Sequence, residues 1–471
     1  MDKLTRRDLI QLTVPTVGCI IASGAMAQAQ TSFARLPTQV RSRINFSLQR
    51  SSDRIAASPF ATVISFLANI NAAEDAISIQ EMKDLGLKHL LLYNAEKQLG
   101  ESKNPRLNQL LSLCEQADIE VRCKVDNPDV DFWKKVVSNY GSRIQHYYYL
   151  NEPNVPKTND FSSPRVSPET YVSGLGKVRG AITKINPKIK LYGPEVALLQ
   201  CMESKPYPWI PLAIDAGLLD YVDGISFHPY RQSYNQKNVP ENPSTFDGKP
   251  TSRYDSYIEQ IQVLKEMVKG KPISVTEAGW STAIPKAPIT PFQSGIISEL
   301  TQAKFLLRQQ IMDFAVGMEM STFFLLRDRH VDRPYPKGHI ENSFGIVREN
   351  NSPKVAFVAL QSLYALLDNN SRLNTSVKIQ FNDPRVVYFV FDDPSPPYPK
   401  RKIFYWLPVP ASDSFATQKV DLQIEQGKMP ALALSDSPRL LQLYQIDGRW
   451  GYPVAVNLLT KKAQLDLSWQ S

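Results

Sequence analysis

Between residues 60 and 367 short apolar runs alternate with longer stretches whose apolar positions recur every three to four residues. The short runs are "ATVISFLAN", "KHLLLYN", "EVRCKVD", "IQHYYYLNE", "IKLYGPE", "VDGISFHPY", "PISVTEAGW" and "MSTFFLLRD". Each has the length and the β-branched or aromatic content of a buried strand. Between them lie helical patterns such as "EDAISIQEMKDLG", "PRLNQLLSLCEQAD", "DFWKKVVSNYG", "SPETYVSGLGKVRGAITKI", "YDSYIEQIQVLKEMVKG" and "ELTQAKFLLRQQIMDFAVG", and "PKVAFVALQSLYALLDN" follows the last run. Strands that alternate with helices pair in parallel, because the helix carries the chain back to the strand's starting end. Eight such units predict an α/β fold, a (β/α)8 TIM barrel over residues 60–370. An open doubly wound sheet would place a glycine-rich nucleotide turn after its first strand. The glycines that cluster, Gly174, Gly176 and Gly180, fall inside a helical pattern instead and are read as helix packing. Ser167, Pro168 and Glu169 predict that helix's start, and Pro187 its end.

After Asn370 the period changes to two: "SVKIQFN", "RVVYFVF", "RKIFYWLPV", "KVDLQIE", "RLLQLYQI", "YPVAVNLL" and "AQLDLSW". Alternation broken by prolines and short turns predicts a C-terminal antiparallel β-sandwich over residues 371–471, read as a packing module without activity. Residues 31–58, with "RINFSLQ", are expected to add a strand to it or to cover the barrel floor.

Composition adds compartment and excludes partners. The first 27 residues carry paired Arg6 and Arg7, an apolar stretch, and Ala25 and Ala27 spaced for a peptidase. This reads as an export signal of the twin-arginine kind, with an ordinary secretory signal as the alternative, and predicts a periplasmic or extracellular protein. No later segment has the roughly 20 apolar residues of a membrane span. The formal charge is +8; losing the signal removes three cations and two anions and leaves +7. There is no long Lys/Arg block and no basic helix with interleaved aromatics, so no nucleic-acid partner is expected. Cleavage leaves Cys114, Cys123 and Cys201, an odd number open either to one bridge or to three buried thiols. Neither Cys-x-x-Cys nor His-Glu-x-x-His occurs among the five histidines, so no metal is expected.

In a parallel barrel the carboxyl ends of the strands converge on one mouth. The fourth run ends in "YLNEP" at Glu152 and the seventh in "SVTEAGW" at Glu277. Two carboxylates facing each other across a sugar can cleave a glycosidic bond, one protonating the departing oxygen while the other meets the anomeric carbon. At the same mouth the reading places "FHPY" (Phe227 to Tyr230), with Tyr230 as a hydrogen-bond partner of Glu277 and His228 beside it. Trp280 is read as a stacking face for sugar, with plain core as its alternative. Glu195 is a third acid, in substrate contact or structural. Lys124, Asp126 and Asn127 end the third run within reach of sugar hydroxyls, and Arg327 and Asp328 end the eighth as a charge pair.

Asn151-Glu152-Pro153 on the fourth strand, with Thr276-Glu277-Ala278-Gly279-Trp280 on the seventh, resembles the retaining glycoside hydrolases of the (β/α)8-barrel clan A, in family-39-like or family-5-like form. The resemblance covers residues of about 60 to 370. It implies Glu152 as acid/base, Glu277 as nucleophile, and Asn151 on the sugar 2-hydroxyl. It implies no cofactor. Two departures stand out: Tyr93 and Asn94 occupy the end of strand two, where many clan members have an arginine. Phe323, Phe324 and Leu326 stand where a strand-eight tryptophan is common. The expectation is an exported retaining glycoside hydrolase that cleaves β-linked oligosaccharides or polysaccharides by double displacement. The alternatives are a transglycosylase using the same covalent intermediate and a carbohydrate-binding protein without turnover.

Overall fold

The structure, a computed structural model, describes residues 58–65, 72–156, 164–202, 207–231, 239–245, 254–283, 297–328, 340–367, 370–381, 383–393, 400–408, 420–426, 440–441, 454–455 and 462–465. The expected export signal and the strand expected from residues 31–58 lie outside these, Ser58 apart. The chain divides into two compact units, Ala57–Phe357 and a second containing Val358–Ser471.

The first unit is a closed barrel of eight parallel strands in sequence order. They are β1 (Phe60–Ser65), β2 (His89–Tyr93), β3 (Glu120–Val125), β4 (His146–Tyr149), β5 (Lys190–Ala197), β6 (Gly224–His228), β7 (Ile273–Val275) and β8 (Met320–Phe323). Closure is made by β1 against β8, where Phe60 pairs with Ser321 and Thr62 with Phe323. The principal helices are α1 (Ala72–Leu85), α2 (Pro105–Gln116), α3 (Val130–Tyr140), α4 (Pro168–Ile185), α5 (Tyr257–Met267), α6 (Glu299–Ala315) and α7 (Val355–Leu366). Short helical segments at Glu96–Leu99, Trp209–Asp215 and Leu218–Tyr221 were not anticipated from the sequence, because four to seven residues carry too little periodicity to register. No helix among the described residues is long and apolar enough to cross a membrane.

Local chemistry fixes where the helices begin. The Ser167 hydroxyl accepts the Thr170 N–H at 3.2 Å at the start of α4, and Asn104 accepts the Leu107 N–H at 2.9 Å at the start of α2. In each case a proline follows at the first helical position, where its missing N–H is not needed. Gly174 packs as the pattern implied, since a Cβ there would stand 2.5 Å from the Tyr149 hydroxyl. Gly180 does not: a Cβ there meets nothing within 4 Å.

The aromatic run of β4 is explained by a strand buried on both faces. Tyr147 and Tyr149 point outward onto Trp133 of α3, with ring centroids 5.8 and 5.9 Å away. Tyr148 points inward, in a lumen cluster with Ala61, Val63, Leu91, Tyr192 and Met320. Cys114, Cys123 and Cys201 are buried free thiols, and burial pushes Cys114 up to about 12.

The second unit is sandwich-like. One three-stranded antiparallel sheet runs in the order β12 (Lys400–Trp406), β11 (Val387–Asp393), β9 (Arg372–Leu373). A second runs β10 (Lys378–Phe381), β13 (Val420–Gln426), β16 (Lys462–Leu465), and β14 (Leu440–Leu441) pairs with β15 (Val454–Ala455).

Candidate active site

The chain turns sharply as it leaves β4. Leu150 and Glu152 take left-handed backbone, with φ of 54° and 44°. For residues with a Cβ this costs about 1–2 kcal/mol each, so surrounding bonds must hold it. The Glu152 N–H donates to the Glu195 carbonyl at 3.1 Å, joining the loop to β5. Two residues on, the buried Asn154 side chain donates to the Ala197 carbonyl at 2.7 Å and accepts the Ala197 N–H at 2.9 Å. Pro153 can supply no N–H to continue a ladder. The strand therefore stops and its first acid swings across the mouth.

Glu277 arrives by a different route. β7 ends at Val275, and Thr276 is tied to β6 through its N–H to the Phe227 carbonyl at 3.1 Å. Beyond the acid, the Phe324 N–H donates to the Ala278 carbonyl at 2.8 Å. Only glycine fits at 279, because a Cβ there would lie 2.2 Å from the Phe324 carbonyl oxygen. "TEAG" is thus a tight run between neighbours on both sides.

The two acids meet at one place. An oxygen of Glu152, an oxygen of Glu277 and a ring nitrogen of His228 lie within 4.8 Å of one another. Their surroundings differ. Glu277 is buried, and its Oε1 accepts from Lys124 Nζ at 2.6 Å while its Oε2 accepts from the Tyr230 hydroxyl at 2.9 Å. The Glu152 side chain is 29% exposed and faces His228 Nδ1 at 2.9 Å. Beneath them Glu195 is wholly buried, with Lys124 Nζ at 2.9 Å, the Thr276 hydroxyl at 2.8 Å and His228 Nε2 at 3.2 Å.

Lys124 is the hub of this arrangement. Besides the two carboxylates, its ammonium reaches His228 Nε2 at 2.8 Å and the Asn151 side-chain oxygen at 3.3 Å. At 2.8 Å both bases cannot aim a proton along their common line. The carboxylates around His228 favour a second proton on the ring, against burial and against Lys124. The positive charge on that line belongs to the Lys124 and His228 pair, held among Glu152, Glu195 and Glu277.

The carboxylates respond to this charge. Burial alone would push Glu277 up; the positive charge of the His228 and Lys124 pair, with the hydrogen bonds from Lys124 and Tyr230, brings it below the ordinary carboxylate range. Glu195 follows the same balance, burial outweighed by Lys124 and then by His228, and sits at about 2. Burial and the Glu277 anion push the Tyr230 phenol well up, so it stays a donor.

Of the residues singled out from sequence, the structure brings together Glu152, Glu277, Asn151, His228 and Tyr230. Glu195 and Trp280 take the structural alternatives open to them from sequence, and Asn127 shows local contacts through its oxygens. Glu195 is 0% exposed and turned inward, so it cannot touch substrate and serves as a counter-ion. Trp280 is 5% exposed and packs on Phe305 of α6 at 5.4 Å, which gives it the core role and no open stacking face. Asn127 spends its side-chain oxygen on the Asp129 N–H at 2.8 Å in the turn before α3, and its carbonyl on the Trp133 indole at 2.7 Å. The expected charge pair of Arg327 with Asp328 is corrected: Arg327 pairs with Glu81 at 2.6 Å and Asp328 with Lys354 at 2.8 Å. The residue undervalued by sequence is Lys124. Its signal was the alternation Glu120, Arg122, Lys124 within one strand, which puts a cation on the inward face.

Glu152, His228 and Glu277 offer ligand atoms close enough for a metal ion. The Lys124 ammonium already stands against two of the three, 2.6 Å from Glu277 and 2.8 Å from His228, where such an ion would sit.

No protein-family model matches the chain, and no curated protein does. Solved structures match the fold. A family 39 glycoside hydrolase from Bacteroides cellulosilyticus WH2 superposes with a TM-score of 0.58 at 18% identity, over 88% of this chain and 79% of that one. A monomeric β-xylosidase from Caulobacter crescentus CB15 gives 0.48 at 12% identity, over 83% and 80%. The GH39 enzyme from Xanthomonas axonopodis pv. citri gives 0.48 at 13%, over 82% and 76%.

Proposed function

We propose that the protein is a retaining glycoside hydrolase acting on β-linked glycans. The observation that carries this is the opposition of two carboxylates in unlike settings, with oxygens of Glu152 and Glu277 within 4.8 Å. A retaining mechanism needs carboxyl groups about 5–5.5 Å apart, whereas an inverting one leaves about 6.5–9.5 Å for a water. The fold shared with a family 39 glycoside hydrolase supports the same reading.

The roles follow from the surroundings. Glu277 is buried and kept anionic by Lys124 and Tyr230, which suits attack on the anomeric carbon. Glu152 is the more open acid and protonates the leaving oxygen, with His228 steering its carboxyl. A covalent glycosyl ester on Glu277 forms as the glycosidic bond breaks. Glu152, now a carboxylate, takes a proton from water, whose oxygen displaces Glu277 and restores the starting anomer. Asn151, placed by Lys124 beside both acids, is the group for the sugar 2-hydroxyl. We further infer that residues 1–27 export the protein, so that its glycan lies in the periplasm or outside the cell.

The test is hydrolysis of 4-nitrophenyl β-xyloside, β-glucoside and β-glucuronide and of β-glycan oligosaccharides, with the anomer of the first product read by NMR. Retention supports the assignment. Inversion, or turnover that survives in Glu277→Gln, refutes it.

A further inference from the structure

Lys124, which keeps the nucleophile anionic, is paired beneath it with Glu195, an acid to which the hydrolysis described gives no part. Both side chains are 1% exposed, and the ammonium lies 2.6 Å from Glu277 and 2.9 Å from Glu195. A lone buried ammonium is costly, and the usual outcome is loss of its proton. In the resting protein Glu277 and Glu195 both hold the charge in place. Double displacement changes that: the Glu277 oxygen bonds to the anomeric carbon, the leaving oxygen departs with the proton from Glu152, and the nucleophile passes from anion to neutral ester. One of the two partners of Lys124 is thereby withdrawn in every cycle.

We propose that Lys124 is a positioning residue for the nucleophile and that Glu195 is its standby counter-ion, keeping the ammonium paired while Glu277 is esterified. This rests on the retaining reading above. The other groups around the ammonium cannot fill that place. His228 supplies no negative charge, Asn151 only a carbonyl at 3.3 Å, and Tyr93 only a ring face with its centroid at 5.6 Å. Glu195 is suited to it because Thr276 fixes its other oxygen at 2.8 Å, so the carboxylate does not turn away when Lys124 shifts. The same geometry explains why an acid on β5 faces inward, out of reach of a sugar.

Glu277→Gln imitates the uncharged ester and allows a test without substrate. With isotope-labelled lysine and NMR, the Lys124 signal is assigned by its loss in Lys124→Met. In Glu277→Gln, Lys124 is expected to keep its proton to at least the ordinary value of about 10.4. In Glu195→Gln/Glu277→Gln the titration is expected to fall by about 3 pH units or more. If the double variant fails to fold, adding Lys124→Met is expected to restore folding, because the unpaired charge is then gone; failure to restore it overturns the proposal. A Lys124 that titrates alike in the single and double variants overturns it too. Turnover is read separately on 4-nitrophenyl β-glycosides, where Lys124→Met should move the acid limb of kcat/KM upward by about one pH unit or more. A wild type without turnover on any glycan would sink the glycosidase reading, whereas the lysine titration judges the charge pairing.

Discussion

Replacing Asn154 with alanine should loosen the loop that carries Glu152 without touching either acid. Asn154 is 9% exposed and makes two bonds to the backbone of Ala197, itself 8% exposed, at 2.7 and 2.9 Å. Truncation leaves a buried N–H and a buried carbonyl without these partners. At about 1–3 kcal/mol for each unsatisfied group, the expected destabilisation is about 2–6 kcal/mol. The latch also helps to hold the left-handed backbone at Glu152, so its release should let the carboxyl relax away from Glu277. A displacement of about 1 Å in a reacting group can lower the rate about a hundredfold. Urea unfolding gives the first quantity and hydrolysis of 4-nitrophenyl β-glycosides the second, with kcat falling more than KM rises. Asn154→Asp keeps an acceptor for the Ala197 N–H and sets an oxygen against the carbonyl, so it should rescue only part of the stability. A loss below about 0.5 kcal/mol with unchanged kcat would show that the loop is held by something else.

Glu277→Gln should remove turnover by about a thousandfold or more, while Glu152→Gln should spare substrates whose leaving group needs no proton; a 2,4-dinitrophenyl glycoside compared with its 4-nitrophenyl analogue measures this. Tyr230→Phe deletes a charge-assisted bond of about 1.5–3 kcal/mol to Glu277, so thermal melts should show a loss of that order and kcat/KM should fall about ten- to a hundredfold. Glu195 titrates at about 2 when folded against an ordinary 4.5, so its share of stability is present above about pH 4.5 and is lost as the pH falls toward 2. That share is about 3 kcal/mol, and thermal melts of wild type and Glu195→Gln across that window should converge as the pH drops. Exchanging Arg6 and Arg7 together for lysine should retain the protein in the cytoplasm, as cell fractionation would show.

The eight strands and the principal helices were legible because each side chain in a barrel strand is buried on one face or the other. The "LLLY" within "KHLLLYN" is therefore an unbroken apolar run and stands out against the helices. The two acids were legible for a topological reason, since a residue just past a parallel strand can only be at the mouth. The choice between sugar face and core at Trp280 was not legible because position along the strand says nothing about rotation. Trp280 is three residues beyond Glu277, after the tight passage at Gly279, and turns to Phe305 instead of the pocket. Asn127 was claimed by local backbone, as short amide side chains before a helix often are.

Strand β3 shows the deeper limit. "EVRCKV" alternates charged and apolar residues, which in an antiparallel sheet would mark one wet face and one dry face. In a closed barrel the charged face is the axis. Glu120 meets His146 at 2.6 Å and Arg122 at 3.1 Å, Arg122 reaches the Tyr148 hydroxyl at 3.3 Å, and Lys124 meets Glu277 at 2.6 Å. The same three residues thus run from the barrel floor to its mouth. What distinguishes this from a solvent face is the presence of complementary charges on other strands: Glu319 before β8, Glu195 on β5 and Glu277 after β7. A period of two read within one strand contains none of them. Charge inside a barrel becomes readable only when strands are compared at equal height, and at that height Lys124 has anions from two other strands, which is why it, and not an arginine at the end of β2, confronts Glu277.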